Sequence, residues 1–190
     1  PQGNSTSGLG VEESEVTIYD VLTHEKEIND TIIHTKSKNV DLIPANADLC
    51  GLEIELLNVD KKEYLLKQEL PKIPENYDFI IIDCPPSLSV LSINSLVSSH
   101  SVLIPIQCEY YALEGVSQLM NTVNIIRKGL NPELEIEGVL LTMYDSRNNL
   151  SEDVKKETEN YFKDKLFDTV IPRNIRLAEA PSFGESIIYY

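Results

Sequence analysis

No apolar run in this 190-residue sequence approaches the roughly 18–20 residues needed to span a bilayer. No charged-then-apolar stretch reads as a secretory signal. Cysteine is scarce: Cys50, Cys84 and Cys108 are an odd number of scattered thiols without metal-ligand spacing. That excludes a disulfide framework and favours a reducing cytoplasm. His24, His34 and His100 form no cluster, so no zinc site is expected. Positive charge is also short, with 16 Lys and Arg against 31 Asp and Glu and a net charge of −15. Such a surface cannot coat nucleic acid with its whole area. The deficit is uneven: residues 1–140 carry 22 acidic and 9 basic side chains, whereas residues 141–190 carry 9 and 7. Any face that meets phosphate is expected in the last fifty residues. Internal repeats and low-complexity tracts are absent, and so is the G-x-G-x-x-G of nicotinamide-binding domains.

What remains is an ordinary globular composition, 42% hydrophobic and 25% charged, with enough chain for one domain over 1–190. The stretch YDFIIIDCPPS at 77–87 organises it. Its four apolar residues, Phe79 to Ile82, predict a short parallel strand buried on both faces over 78–83. The Pro-Pro that follows stops it, because proline has no N–H for a ladder. Asp83 then stands at a strand's carboxyl end, where open α/β sheets keep their ligands. An ionised carboxylate there needs a partner. A hydrated Mg2+ beside nucleotide phosphates is one, and a helix N-terminus that Asp83 caps is the alternative.

Along the chain, the patterns predict short helices over 16–22 and 27–34, a strand over 39–44, and helices over 49–58 and 61–70. After the central strand come a helix capped by Ser87 or Ser89, a strand over 101–106 and a long helix over 109–130. A strand over 136–144, a helix over 151–166 capped by Ser151, a strand over 167–171 and a helical turn over 174–180 complete it. Strands alternating with helices predict an α/β fold: a doubly wound, mostly parallel sheet with helices on both faces. Four polar loops then converge on one sheet edge: Asp83, residues 107–109, residues 142–147 and residues 172–176.

At these loops the sequence resembles the ParA/Soj family of partition ATPases, P-loop NTPases with a deviant Walker A motif. The resemblance is carried by PQGNSTSGLG (1–10), YDFIIIDCPPS (77–87), PIQCEYYALEG (105–115), LLTMYDSRNNLS (140–151) and IPRNIRLAEAPSFGESIIYY (171–190). The family's lysine-bearing phosphate loop, of the form KGGxGKT, is not among these residues, nor is the aspartate that precedes PQGN, nor the last helix. The chain is therefore expected to be an internal fragment of a ParA-like ATPase, without catalytic residues of its own and inactive alone.

The resemblance implies roles residue by residue, each beside a plainer reading. Asp83 would be the Walker-B aspartate that holds Mg2+, and Pro1, Gln2, Gly3 and Asn4 the first switch loop near the nucleotide phosphates; a frayed terminus is the plainer reading of the latter. Thr142 and Met143 would form one wall of the adenine pocket, and Pro172 and Asn174 the other; core packing and a simple turn are the alternatives. Glu109 would contact the partner protomer in an ATP sandwich dimer, while an acid opening a long helix also suits its dipole. Arg147 and Arg176 would bind DNA non-specifically, or be solvated, or pair with Asp145 and Glu179. The implied cofactors are ATP and Mg2+. The implied partners are a second copy, non-specific DNA and a ParB-like centromere-binding protein, with no membrane, in the nucleoid-associated cytoplasm. Competing readings are a MinD-like membrane-cycling ATPase, a non-catalytic binding module and a receiver domain; the last needs an earlier acidic pair that the 39–46 stretch does not offer.

Overall fold

A computed structural model of the chain describes residues 1–12, 14–85, 87, 89–110 and 112–190, with all their side chains except those of Glu53 and residues 112–114. In chain order the elements are α1 (Asn4–Gly8), α2 (Ile18–Leu22), β1 (Ile33–His34), β2 (Asp41–Leu42), α3 (Leu49–Glu55), α4 (Leu65–Glu69), α5 (Val90–Ser98), β3 (Ser101–Gln107), α6 (Ala112–Gly129), β4 (Glu135–Tyr144), α7 (Asn149–Phe162), β5 (Leu166–Pro172) and α8 (Ile175–Glu179), with short 3-10 turns between them. They fall into two compact units, Pro1–Ser98 with Ile175–Tyr190, and Ser99–Asn174.

The first unit is held by leucines. Leu22, Leu49, Leu52, Leu56, Leu65, Leu66 and Leu91 form one buried cluster, with Ile82 packed at its margin. The α2 helix starts on a capping box: the Thr17 hydroxyl accepts the Tyr19 N–H and Asp20 accepts the Thr17 N–H at 2.7 Å. Buried Asn94 clips α5 to α4, its Oδ1 accepting the Leu66 N–H at 3.1 Å and its amide donating to the Lys62 carbonyl at 2.7 Å. The helix expected over 27–34 is only a 3-10 turn, Ile28–Thr31. The chain then turns extended through the β-branched Ile32 and Ile33, and β1 pairs antiparallel with β2. The strand expected over 39–44 shrinks to the two residues of β2.

One expectation fails here. Residues 79–83 enter no sheet, and Phe79 and Ile81 are 85% and 92% exposed. An apolar β-branched run signals what a strand needs, burial and ladder partners, but does not supply them. Among the described residues no strand pairs with it.

The second unit is the parallel sheet, in the order β3-β4-β5. Its core joins Ile104 and Ile106 of β3, Val139 and Leu141 of β4, Val116 of α6 and Phe162 of α7. The α6 helix begins at Ala112, not at residue 109. The α7 helix is capped by Asn148, whose side chain accepts the Leu150 N–H at 3.0 Å. Ser151, the expected cap, is buried inside the helix and accepts the Asp145 N–H. The helix stops at Phe162, where Lys163 turns left-handed with φ 49°. The α/β class with a parallel sheet stands.

Candidate functional site

In the first unit, the Ser5 hydroxyl donates to Asp83 Oδ2, joining two stretches 78 residues apart. Ser5 is presented firmly. Its neighbour Thr6 is buried, and the Thr6 hydroxyl donates to the Ala45 carbonyl at 3.2 Å and accepts the Ala45 N–H at 3.0 Å. Gly3 leads into α1 with φ 66°, where a Cβ would stand 3.0 Å from the Ala45 carbonyl oxygen. Asn4 donates to the Gln2 side chain at 3.3 Å. Residues Pro1 to Asn4 thus run directly into the helix that touches Asp83. Ser5 was not singled out from the sequence; the only signal was a small hydroxyl directly after PQGN. The capping alternative for Asp83 has no support in α5. That helix starts seven residues later, and Ser89 accepts the Leu91 N–H. Residues Pro86 and Leu88 of the adjoining loop lie outside the described residues.

In the second unit, three strands deliver polar ends to one edge. Gln107 lies opposite Thr142, and Tyr144 opposite Pro172. The Thr142 carbonyl accepts the Cys108 N–H at 3.0 Å, and the Tyr144 carbonyl accepts the Arg173 N–H at 2.9 Å. Between them Met143 takes φ 53°, a conformation that costs a non-glycine residue about 1–3 kcal/mol. Thr142, Met143, Pro172 and the following Asn174 therefore sit at neighbouring strand ends. Glu109 is in the turn before α6, where Arg173 Nη2 donates to its Oε1 at 2.5 Å. The Tyr144 hydroxyl donates to Glu152, and this hydrogen bond, with some burial, raises the phenol's pKa.

The two arginines differ. Arg147 forks onto Asp145, with Nε to Oδ1 at 3.0 Å and Nη2 to Oδ2 at 2.9 Å. These hydrogen bonds, the Arg147 backbone N–H and the charges of Arg147 and Arg173 hold the Asp145 carboxyl down at about 2. Arg176 lies exposed on α8, in the first unit.

The profile of a family described as "AAA domain" matches residues 1–136. The sporulation initiation inhibitor protein Soj of Bacillus subtilis is 55% identical to this chain, over all of it and 76% of Soj. The chain belongs to the ParA/Soj family of partition ATPases. The chromosome partitioning protein ParA of Myxococcus xanthus is 48% identical, again over the whole chain and 68% of that protein. Among solved structures, a cobyrinic acid a,c-diamide synthase from Mycobacterium smegmatis, with bound ATP analog and magnesium, superposes with a TM-score of 0.85 at 36% identity, over 97% of this chain and 75% of that one. For this ParA/Soj homologue, the stretches that carry Ser5 and Asp83 fall inside the matched profile. The ends of β4 and β5 lie beyond it, and the full-length relatives reach them.

Proposed function

We propose that the protein carrying this chain is a Mg2+-dependent ATPase that partitions DNA, cycling between a monomer and an ATP-bound dimer on the nucleoid in the cytoplasm. The observation that carries this reading is the contact between the PQGNS stretch and Asp83 in a ParA/Soj homologue. Among the described residues, no group of three acidic, His or Cys side chains is placed to hold a metal. One exposed carboxylate held at Oδ2 by a serine suits magnesium, which takes one or two carboxylates, water and nucleotide phosphates. Bound there, Mg2+ would neutralise charge on the phosphates during transfer to water.

The chain's own residues do the positioning. Ser5 orients Asp83, and Pro1 to Asn4 lie beside the phosphates. Thr142 and Met143 form one wall for the adenine, and Pro172 and Asn174 the other. The left-handed Met143 supports that assignment, since local strain of this kind clusters at ligand sites. Glu109 faces the second protomer. Arg147 and Arg176 contribute phosphate contacts on DNA of any sequence, and a ParB-like protein stimulates turnover. The whole chain is one domain of this machine.

The test is phosphate release by the full-length protein. Asp83→Ala should abolish Mg2+-dependent hydrolysis while leaving metal-free nucleotide binding within about twofold. Equal loss of both would make Asp83 a structural residue. The 190 residues alone, which contain no lysine-bearing glycine loop, should show no turnover.

A further inference from the structure

The Glu109–Arg173 ion pair does something none of the assigned roles requires. Glu109 follows β3 and Arg173 follows β5, yet β4 lies between those strands. The pair therefore crosses over the end of the middle strand. It is short, 2.5 Å, and both side chains are about half exposed, 51% each. Both ends are also fixed by backbone. The Arg173 N–H is bound to the Tyr144 carbonyl, and the Glu109 N–H to the Gln107 carbonyl at 2.8 Å. Between Thr142 and Tyr144, whose carbonyls accept the Cys108 and Arg173 N–H groups, stands the strained Met143.

We infer that Arg173, acting through Glu109, is a positioning residue for the base-binding end of the nucleotide site: it braces the three strand ends so that the Thr142–Met143 wall and the Pro172–Asn174 wall keep their spacing. Two physical arguments support a brace over a decorative surface pair. First, an isolated exposed ion pair pays side-chain entropy to hold two long chains together, which usually consumes its gain. Here each partner follows its strand by no more than two residues and its own N–H is hydrogen-bonded, so much of that ordering is already in place. Second, the strained conformation at Met143 persists only where its surroundings over-determine it. The backbone hydrogen bonds at Thr142 and Tyr144 are part of those surroundings, and the Glu109–Arg173 pair ties together the two segments that make them.

A brace has a charge consequence as well. In a chain of net charge −15, two carboxylates at this edge, Glu109 and Asp145, are each neutralised by an arginine. Arg173 also contributes to holding Asp145 ionised. An anionic nucleotide that approaches the edge meets paired acids, not bare ones.

This inference rests on the adenine-pocket reading above. Its test compares ATP with inorganic tripolyphosphate, which keeps the phosphate chain and lacks the base. Both are measured on the full-length protein by displacement of a fluorescent ATP analogue. Arg173→Gln and Glu109→Gln should each weaken ATP about three- to fivefold and leave tripolyphosphate unchanged. The reversed pair, Glu109→Arg with Arg173→Glu, should bring ATP back within about twofold. Unchanged ATP affinity in both single variants overturns the inference, and so does an equal loss for tripolyphosphate or a failure of the reversed pair to restore binding. Thermal melting of each variant separates lost binding from lost fold, and Arg173→Lys, a milder change that keeps the charge without the guanidinium, should fall between wild type and Arg173→Gln. Asn174→Ala is the control on the pocket itself. If it too spares ATP relative to tripolyphosphate, the pocket reading falls; if it weakens ATP alone while the Arg173 variants do not, only the brace falls.

Discussion

At the scale of single residues, the chemistry rests on pairings that one-dimensional patterns do not contain. Asp83 could be singled out as a candidate because a strand-like apolar run ends on it and prolines follow. Ser5 could not, because a serine after a glycine-rich stretch has many possible roles and its partner lies 78 residues away. Arg147 illustrates the reverse. Its sequence context allowed DNA or Asp145, and in the free chain it is on Asp145. That pairing has a pH signature. The folded Asp145 carboxyl titrates at about 2, below its ordinary 3.8, so the unfolded chain binds the proton first as pH falls. The stabilisation is complete above pH 4 and is lost between about pH 4 and 2. A carboxyl carbon NMR titration should therefore place the Asp145 midpoint near 2. Replacing Arg147 with Gln should move it up toward the ordinary range; a midpoint that stays low would assign the shift to Arg173 and the backbone instead.

At the scale of elements, β3, α6, β4, α7 and β5 were readable because each pairs a clear period with a stop signal, and their bounds moved by only a few residues. The errors have physical causes. Capping of α7 passed from Ser151 to Asn148 because either polar side chain satisfies the sequence rule, and only the path of the chain decides which one meets a free N–H. The 78–83 run failed because strand propensity is mostly fit to a neighbouring surface, which no local window reports. Glycine 138 gives the sharpest test of an element. In β4 its missing side chain leaves room for the Phe167 ring of β5: a Cβ would come within 2.7 Å of the ring and 3.0 Å of the Lys165 carbonyl. Gly138→Ala should push β5 away and cost about 1–3 kcal/mol, as overpacking does. Urea unfolding reads that loss. Adding Phe167→Leu, which removes the obstructing ring, should recover part of it; no recovery would place the strain in the backbone.

At the scale of the whole molecule, charge decides what the protein touches. With 16 cations against 31 acids, only a local patch can hold a phosphate backbone. In the full-length protein, Arg147→Ala with Arg176→Ala should lower affinity for duplex DNA equally for unrelated sequences, because phosphate contacts carry no base information. The plot of log K against log salt should lose a slope of about 2 per protomer, one phosphate per arginine, and about twice that for the ATP-bound dimer. An unchanged slope in a double mutant that still dimerises with ATP would move the DNA face elsewhere. Because Arg147 is paired with Asp145, a contact to DNA would exchange one anion for another, and under the proposed role Asp145→Asn should strengthen binding at low salt. The exposed Phe79 and Ile81 reach furthest beyond function. An exposed apolar run that pairs with no strand among the described residues is a template for another chain that offers the same. In a concentrated solution of these 190 residues, self-association is therefore expected to begin along this segment, and a strand laid against it should suppress that association.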